Sequence, residues 1–258
     1  MTLNINNLVL EITRRCNAGC RHCLRGDAQP ADITRGVIDK VLEDVSYIGA
    51  VTFTGGEPTL AVKAIRYFTL RLKARHIGLG SFFLYTNGKL ASEALVHALL
   101  DLYGYCDDNE VTGLAVSTDQ FHREQIPDVG AADRLYSALS FYRPRHRDEL
   151  GRPSGLLQNM SDEAIFDEGR AHENGLGARS PREADPCRVE SGFNGHLEVS
   201  GDLYINVFGD VVPSCDWSYE RQAEGKTGNV MEKGLYGILK PLDVNPGDLI
   251  ETLTKEVA

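Results

Sequence analysis

Two apolar periods alternate along the first half of this chain. Residues 8–13, 50–54, 81–86 and 113–118 are short runs rich in β-branched and aromatic side chains, and they predict four strands. Between them the apolar positions recur at helical spacing. Thr34 caps a helix carrying Val37, Ile38, Val41, Leu42 and Val45. Pro58 opens a helix over 59–75 with Ile65, Phe68 and Leu72 inward, and Ser92 opens another with Leu95, Leu99 and Leu102. A further helix is predicted over 131–142 and a fifth strand over 155–159. The tail differs: 196–200, 203–207 and 211–214 predict short strands, with turns at Gly201-Asp202 and Gly209-Asp210.

Repeated strand–helix alternation predicts an α/β fold whose parallel sheet is crossed by helices. In barrels of this kind function collects where the strands end. The distinctive polar residues follow those ends: Cys16, Cys20 and Cys23, then Gly55, Gly56 and Glu57, then Asn87, then Ser117, Asp119 and His122. Residues 1–185 are expected to form this domain, and 186–258 a small β-rich cap.

Composition narrows the class. Of 258 residues 42% are hydrophobic and 25% charged, which is ordinary globular usage, and no run is long enough for a membrane span. The net charge of −10 argues against a large nucleic-acid footprint. Six cysteines are too few for a disulfide framework at this length, and their clustering points to metal use in a reducing compartment. With no basic leader and apolar run at the N-terminus, the protein is expected in the cytoplasm.

The cysteines carry the chemistry. Cys16, Cys20 and Cys23 stand in C-x3-C-x2-C spacing, with Gly19 to bend the tract. Thiolates select zinc, copper(I) or iron–sulfur clusters. A structural zinc site is closed by four ligands, and His22 stands too near its neighbours to serve easily as the fourth. A cubane takes one thiolate per iron, so three thiolates leave one iron open.

This spacing resembles that of the radical S-adenosylmethionine (SAM) enzymes, and the resemblance covers the four rim motifs. It implies a partial (β/α)6 barrel, a [4Fe-4S] cluster on Cys16, Cys20 and Cys23, and S-adenosyl-L-methionine chelating the open iron. It implies that Gly55, Gly56 and Glu57 meet the methionyl amino group, and that Ser117 and Asp119 contact the ribose or carboxylate. His22 stands where relatives often carry an aromatic residue whose backbone meets adenine. Glu168, Gly169, Arg170, Ala171 and Asn174 resemble a GRA-x-x-N element that brings Arg170 toward SAM. The implied reaction is reductive SAM cleavage to a 5′-deoxyadenosyl radical that abstracts hydrogen from a peptide, protein or small metabolite. Electrons would come from a partner such as flavodoxin or ferredoxin.

Other readings stay open. His122 is a candidate proton donor or substrate contact, or a helix-cap histidine, and Asn87 before Gly88 is equally a turn residue. The basic island of Arg143, Arg145, Arg147 and Arg152 is a solvated loop or an anion contact, the latter allowing a nucleotide or nucleic-acid substrate. The tail is similar to the start of the SPASM or twitch extensions, but Cys187 and Cys215 have no further cysteine after them, and two thiolates do not complete a second cluster. A non-catalytic structural-zinc or electron-transfer protein would explain the cysteines but not Gly55, Gly56 and Glu57.

Overall fold

The computed structural model describes residues 2–117, 119–143, 146–147, 153–154, 165–181, 187–192 and 196–243. The strands are β1 (Leu3–Thr13), β2 (Val45–Gly55), β3 (Gly78–Thr86) and β4 (Gly113–Val116), then a two-residue pair β5 (His146–Arg147) and β6 (Pro153–Ser154). Strands β7 (Arg188–Ser191), β8 (Leu197–Ile205), β9 (Asp210–Val212) and β10 (Gly228–Asn229) complete the set. The helices are α1 (Arg35–Val41), α2 (Val62–Arg75), α3 (Glu93–Tyr103), α4 (Gln120–Gln125), α5 (Gly130–Tyr136), α6 (Gly169–Glu173), α7 (Tyr219–Glu224) and α8 (Val230–Leu239).

One open sheet runs β10-β9-β8-β1-β2-β3-β4, with β7 also on β8. Strands β8, β1, β2, β3 and β4 are mutually parallel, so their C-terminal ends share one rim. The helices α1 to α3 form where their caps and apolar stripes dictate. Thr34 accepts from Val37 N at 3.2 Å and Ser92 from Leu95 N at 3.1 Å. Ile65, Phe68, Leu72, Leu95, Leu99 and Leu102 are all fully buried. Each such side chain contributes about 1.5–3 kcal/mol by leaving water.

Several boundaries differ from the sequence reading. Val45 leaves the α1 stripe and begins β2, because β2 pairs along β1 from Leu3↔Val45 to Thr13↔Gly55. Strand β1 likewise starts at Leu3, where buried Leu3 and Ile5 alternate with more exposed neighbours. The helix expected over 131–142 is the shorter α5. The largest difference is at Gly201-Asp202, which is not a turn. Both halves of β8 pair with β1, Val199 opposite Ile5 and Asp202 opposite Asn7, so the chain cannot reverse there. The one extra residue forms a bulge, and Gly201 takes the φ of +80° that it needs. The real reversal follows at residues 206–209, where Gly209 N donates to Asn206 O at 3.0 Å and φ is +84°. The tail therefore extends the same sheet through a hairpin. The strand expected at 155–159 lies outside the described residues, as do Arg145 and Arg152.

Beneath the rim, between β1 and the tail, lies a buried polar network. Glu11 is 0% exposed and Arg14 3%. Glu11 Oε1 accepts from Arg14 Nε at 2.7 Å and from Val207 N at 3.3 Å; Oε2 accepts from the Tyr204 hydroxyl at 2.7 Å. Arg14 also donates to Gln222 Oε1 at 2.7 Å and Gln29 Oε1 at 3.0 Å. A buried pair tolerates desolvation only when its remaining donors and acceptors are satisfied in this way. The network sews the tail to the strand that carries the cysteines. No helix among the described residues is long and apolar enough to cross a membrane.

Candidate active site

The rim opens on a cavity of about 230 Å³. Of the twelve residues picked out in the sequence, eleven line its wall; Asp119 does not. Strand β1 ends at Thr13 and delivers the three cysteines, all unbridged. Burial pushes the Cys20 thiol up to about 11, with further upward pressure from Cys23 and Cys16. Burial raises the Cys16 thiol too. Thiols that resist ionisation yet feel one another's charge suit a soft cation, which would hold them as thiolates. Among the described residues no fourth cysteine lines this cavity. The donor set therefore fits a cluster with one uncommitted iron better than a closed zinc site.

Gly55 and Gly56 have a cause the sequence did not disclose. A Cβ on Gly55, whose φ is +134°, would lie 1.9 Å from Thr13 O; one on Gly56 would lie 2.3 Å from Arg15 O. Gly56 N donates to Thr13 O and Glu57 N to Arg15 O, each at 2.8 Å. The glycines let β2's end press onto the backbone leading to Cys16. Glu57 is 1% exposed, and its carboxylate is already engaged. It accepts from Thr59 N at 3.1 Å, the Thr86 hydroxyl at 2.7 Å and Asn87 N at 2.8 Å. Asn87 passes the constraint on, donating from Nδ2 to Asn17 Oδ1 at 2.8 Å, while Lys89 Nζ donates to Asn17 O at 2.5 Å. Asn17, unnoticed in the sequence, thus fixes the loop between Cys16 and Cys20.

Asp119 caps α4, accepting from Phe121 N and His122 N at 3.1 Å each, and pairs with His122 Nδ1 at 2.5 Å. Burial alone would raise its carboxyl, but the His122 hydrogen bonds and charge hold it well below the usual range. Its work is to fix His122, which does reach the cavity wall. His22 stacks on Phe121 at 4.6 Å and meets His122 edge-on at 5.0 Å. Ser117 N donates to Thr86 O at 2.8 Å, tying β4's end to β3's.

The α6 segment docks on the cysteine loop. A Cβ on Gly169 would lie 2.4 Å from Gly26 N and 2.5 Å from Leu24 O. Arg170 N donates to Cys23 O at 3.0 Å, and Asn174 Nδ2 to Arg21 O at 3.3 Å. Arg170 Nε is buried without a hydrogen-bond partner, and its charge lowers the Cys16 and Cys20 thiols against the larger effect of burial. A guanidinium with an unused donor that acts on the Cys16 and Cys20 sulfurs fits an anionic group in the cavity. Glu168 anchors the far side, accepting from Ser218 N at 3.0 Å and Arg221 Nη1 at 2.9 Å. Arg14, Arg25 and Tyr219 also line the cavity. Neither arginine was singled out in the sequence.

Cys187 packs on the main core and Cys215 on a separate cluster of Val9, Tyr204, Val212 and Trp217. Burial pushes the Cys187 thiol up to about 11. Cys106 is buried, its Sγ 3.4 Å from Leu102 O. Of the basic island only Arg143 has a described side chain, and it donates to Ser140 O at 2.6 Å.

The family model of the Radical SAM superfamily matches residues 10–136. Those 127 residues, just under half of the 258-residue chain, are similar to that superfamily. Putative protein YfkA of Bacillus subtilis (strain 168) is 32% identical over 74 residues, 27% of this chain and 20% of that protein. The structure of native anSMEcpe with bound AdoMet and Cp18Cys peptide superposes with a TM-score of 0.53 at 13% identity, covering 92% of this chain and 80% of that one. Streptococcus suis SuiB bound to precursor peptide SuiA gives a TM-score of 0.43 at 14% identity over 90% of this chain and 64% of that one.

Proposed function

We propose that the chain is a radical SAM enzyme, with one [4Fe-4S] cluster on Cys16, Cys20 and Cys23 and S-adenosylmethionine at the remaining iron. The observation that carries this reading is the convergence of three unbridged cysteines and the Gly55–Gly56–Glu57 turn on one cavity that has no fourth cysteine among the described residues. Held by Cys16, Cys20 and Cys23 and by the Gly55–Gly56–Glu57 turn, the two groups would supply one-electron reductive chemistry directed at a substrate C–H bond.

The protein's own residues hold and orient. The Glu57–Asn87–Asn17 chain of hydrogen bonds fixes the cysteine loop. Arg170 offers its unpartnered Nε to the anionic side of the bound groups. Asp119 holds His122 through Nδ1, leaving Nε2 to meet the substrate or the SAM ribose. A peptide is the substrate class we favour, supported by the shared fold of a protein whose structure carries AdoMet and a peptide. The one-electron chemistry requires a reducing partner such as flavodoxin or ferredoxin.

The test is product release. Anaerobically reconstituted protein with SAM and dithionite should yield 5′-deoxyadenosine, and Cys16→Ala, Cys20→Ala or Cys23→Ala should each abolish it. Wild-type yield from any of the three variants would refute the assignment.

A further inference from the structure

Two histidines and a carboxylate converge beside the cavity. His22 comes from the loop after β1, Asp119 and His122 from the start of α4. One donor atom from each, a ring nitrogen or a carboxylate oxygen, lies within 4.8 Å of the other two. Asp119 Oδ1 stands 3.8 Å from His22 Nε2, and Asp119 Oδ2 stands 2.5 Å from His122 Nδ1. The two rings meet edge-on, 5.0 Å apart at 76°. The side chains of His22, Asp119 and His122 are 9%, 19% and 20% exposed, so the group is shielded from bulk water without being sealed.

The surroundings hold the trio in place. Asp119 is fixed as the cap of α4 by Phe121 N and His122 N. The His22 ring stacks on Phe121 at 4.6 Å and 19°, and Phe121 is buried with Ile165 and Ala171. Metal ligands are oriented by neighbouring groups in this way. The 3.8 Å between His22 and Asp119 is longer than a hydrogen bond. Two atoms bound to one zinc ion, each at about 2.0–2.2 Å, lie about 3–4 Å apart, so that spacing matches a shared ion. A small rotation of His122 brings in the third donor.

We propose that His22, Asp119 and His122 form a second metal site, which takes a divalent ion of the zinc and iron(II) kind. Two imidazoles and a carboxylate suit those ions. The set contains no thiolate, so it is distinct from the cysteines and stands whether or not they carry a cluster. An ion taking Asp119 and His122 Nδ1 displaces the proton between them. Three protein ligands leave a position open. His22 and His122 both line the cavity, so the open side of the ion faces it.

The test is zinc uptake by the reconstituted holoprotein, with zinc and iron counted per chain after desalting. The wild type should take up about one zinc per chain with its iron unchanged. Zinc affinity should fall at least tenfold in Asp119→Asn and in His122→Ala. Asp119→Asn keeps an oxygen for Phe121 N and His122 N, so α4 stays capped. Cobalt(II) in place of zinc should show ligand-field bands without strong thiolate-to-cobalt absorption. No zinc uptake by a wild type of full iron content, or equal affinity in wild type and both variants, overturns the site. Thiolate-to-cobalt bands would put the ion on cysteines and overturn it too. A wild type that takes up no iron, but whose zinc affinity is lost in both variants, would overturn the cluster reading and support this site.

Discussion

Glu57→Ala separates a structural role of this carboxylate from a ligand role. The side chain is 1% exposed and accepts three hydrogen bonds, two from backbone N–H groups and one from a hydroxyl. The Thr86 hydroxyl can rotate to another acceptor. Thr59 N and Asn87 N cannot, and both residues are buried. Each buried N–H left unpaired costs about 1–3 kcal/mol, so the substitution costs about 2–6 kcal/mol. For a chain of this size each kcal/mol lowers Tm by about 2–4 °C, so Tm should fall by roughly 4–24 °C. The assay is thermal unfolding followed by circular dichroism on protein without metal or SAM, which removes ligand effects. Loss of the Asn87 anchor should also free Asn17 and weaken iron loading. A Tm within about 2 °C of wild type would refute the argument. If SAM affinity fell in such a variant, Glu57 would be a ligand contact only.

Three further outcomes follow from the same geometry. Gly55→Ala should lower the denaturant midpoint by an amount equal to about 3 kcal/mol or more, because its Cβ would meet Thr13 O at 1.9 Å at a φ of +134°; an unchanged midpoint would contradict the packing. Burial raises the Glu168 carboxyl, but hydrogen bonds from Ser218 and Arg221 hold it below 4.5. Its contribution is then complete above about pH 4.5 and lost as pH falls through the depressed folded value, so Glu168→Gln should lose more stability relative to wild type at pH 7 than at pH 3. Equal losses at both pH values would show that the charge contributes nothing. Iron should be about four per chain and unchanged in the Cys187→Ala/Cys215→Ala double variant; a near-double count that falls in that variant would place metal in the tail.

Much of the site was legible because its chemistry is written in short local signals. The cysteine spacing, the glycine pair before Glu57 and the polar residues at strand ends each occupy a few consecutive positions, and the parallel sheet brings them to one rim. Around Arg170 the structure adds a docking that the motif alone does not describe, since Gly169, Arg170 and Asn174 all contact the cysteine loop. What stayed hidden depends on distant pairings. Gly201-Asp202 has turn composition, and only the common partner β1 makes it a bulge. Tyr219 and Arg25 reach the cavity through a hydrogen bond between segments nearly two hundred residues apart. Glu57 shows an acidic side chain in the sequence, but which groups satisfy it is decided by strands β2 and β3 lying side by side.

The central claim is that three thiolates hold a cluster with one iron left for SAM. Its most direct test is the electron paramagnetic resonance spectrum of the dithionite-reduced, reconstituted wild-type protein before and after SAM is added. The account predicts a reduced-cluster signal whose shape changes on SAM addition, because the added ligand binds the open iron. A cluster signal indifferent to SAM, or a colourless protein that takes up zinc in place of iron, would contradict it.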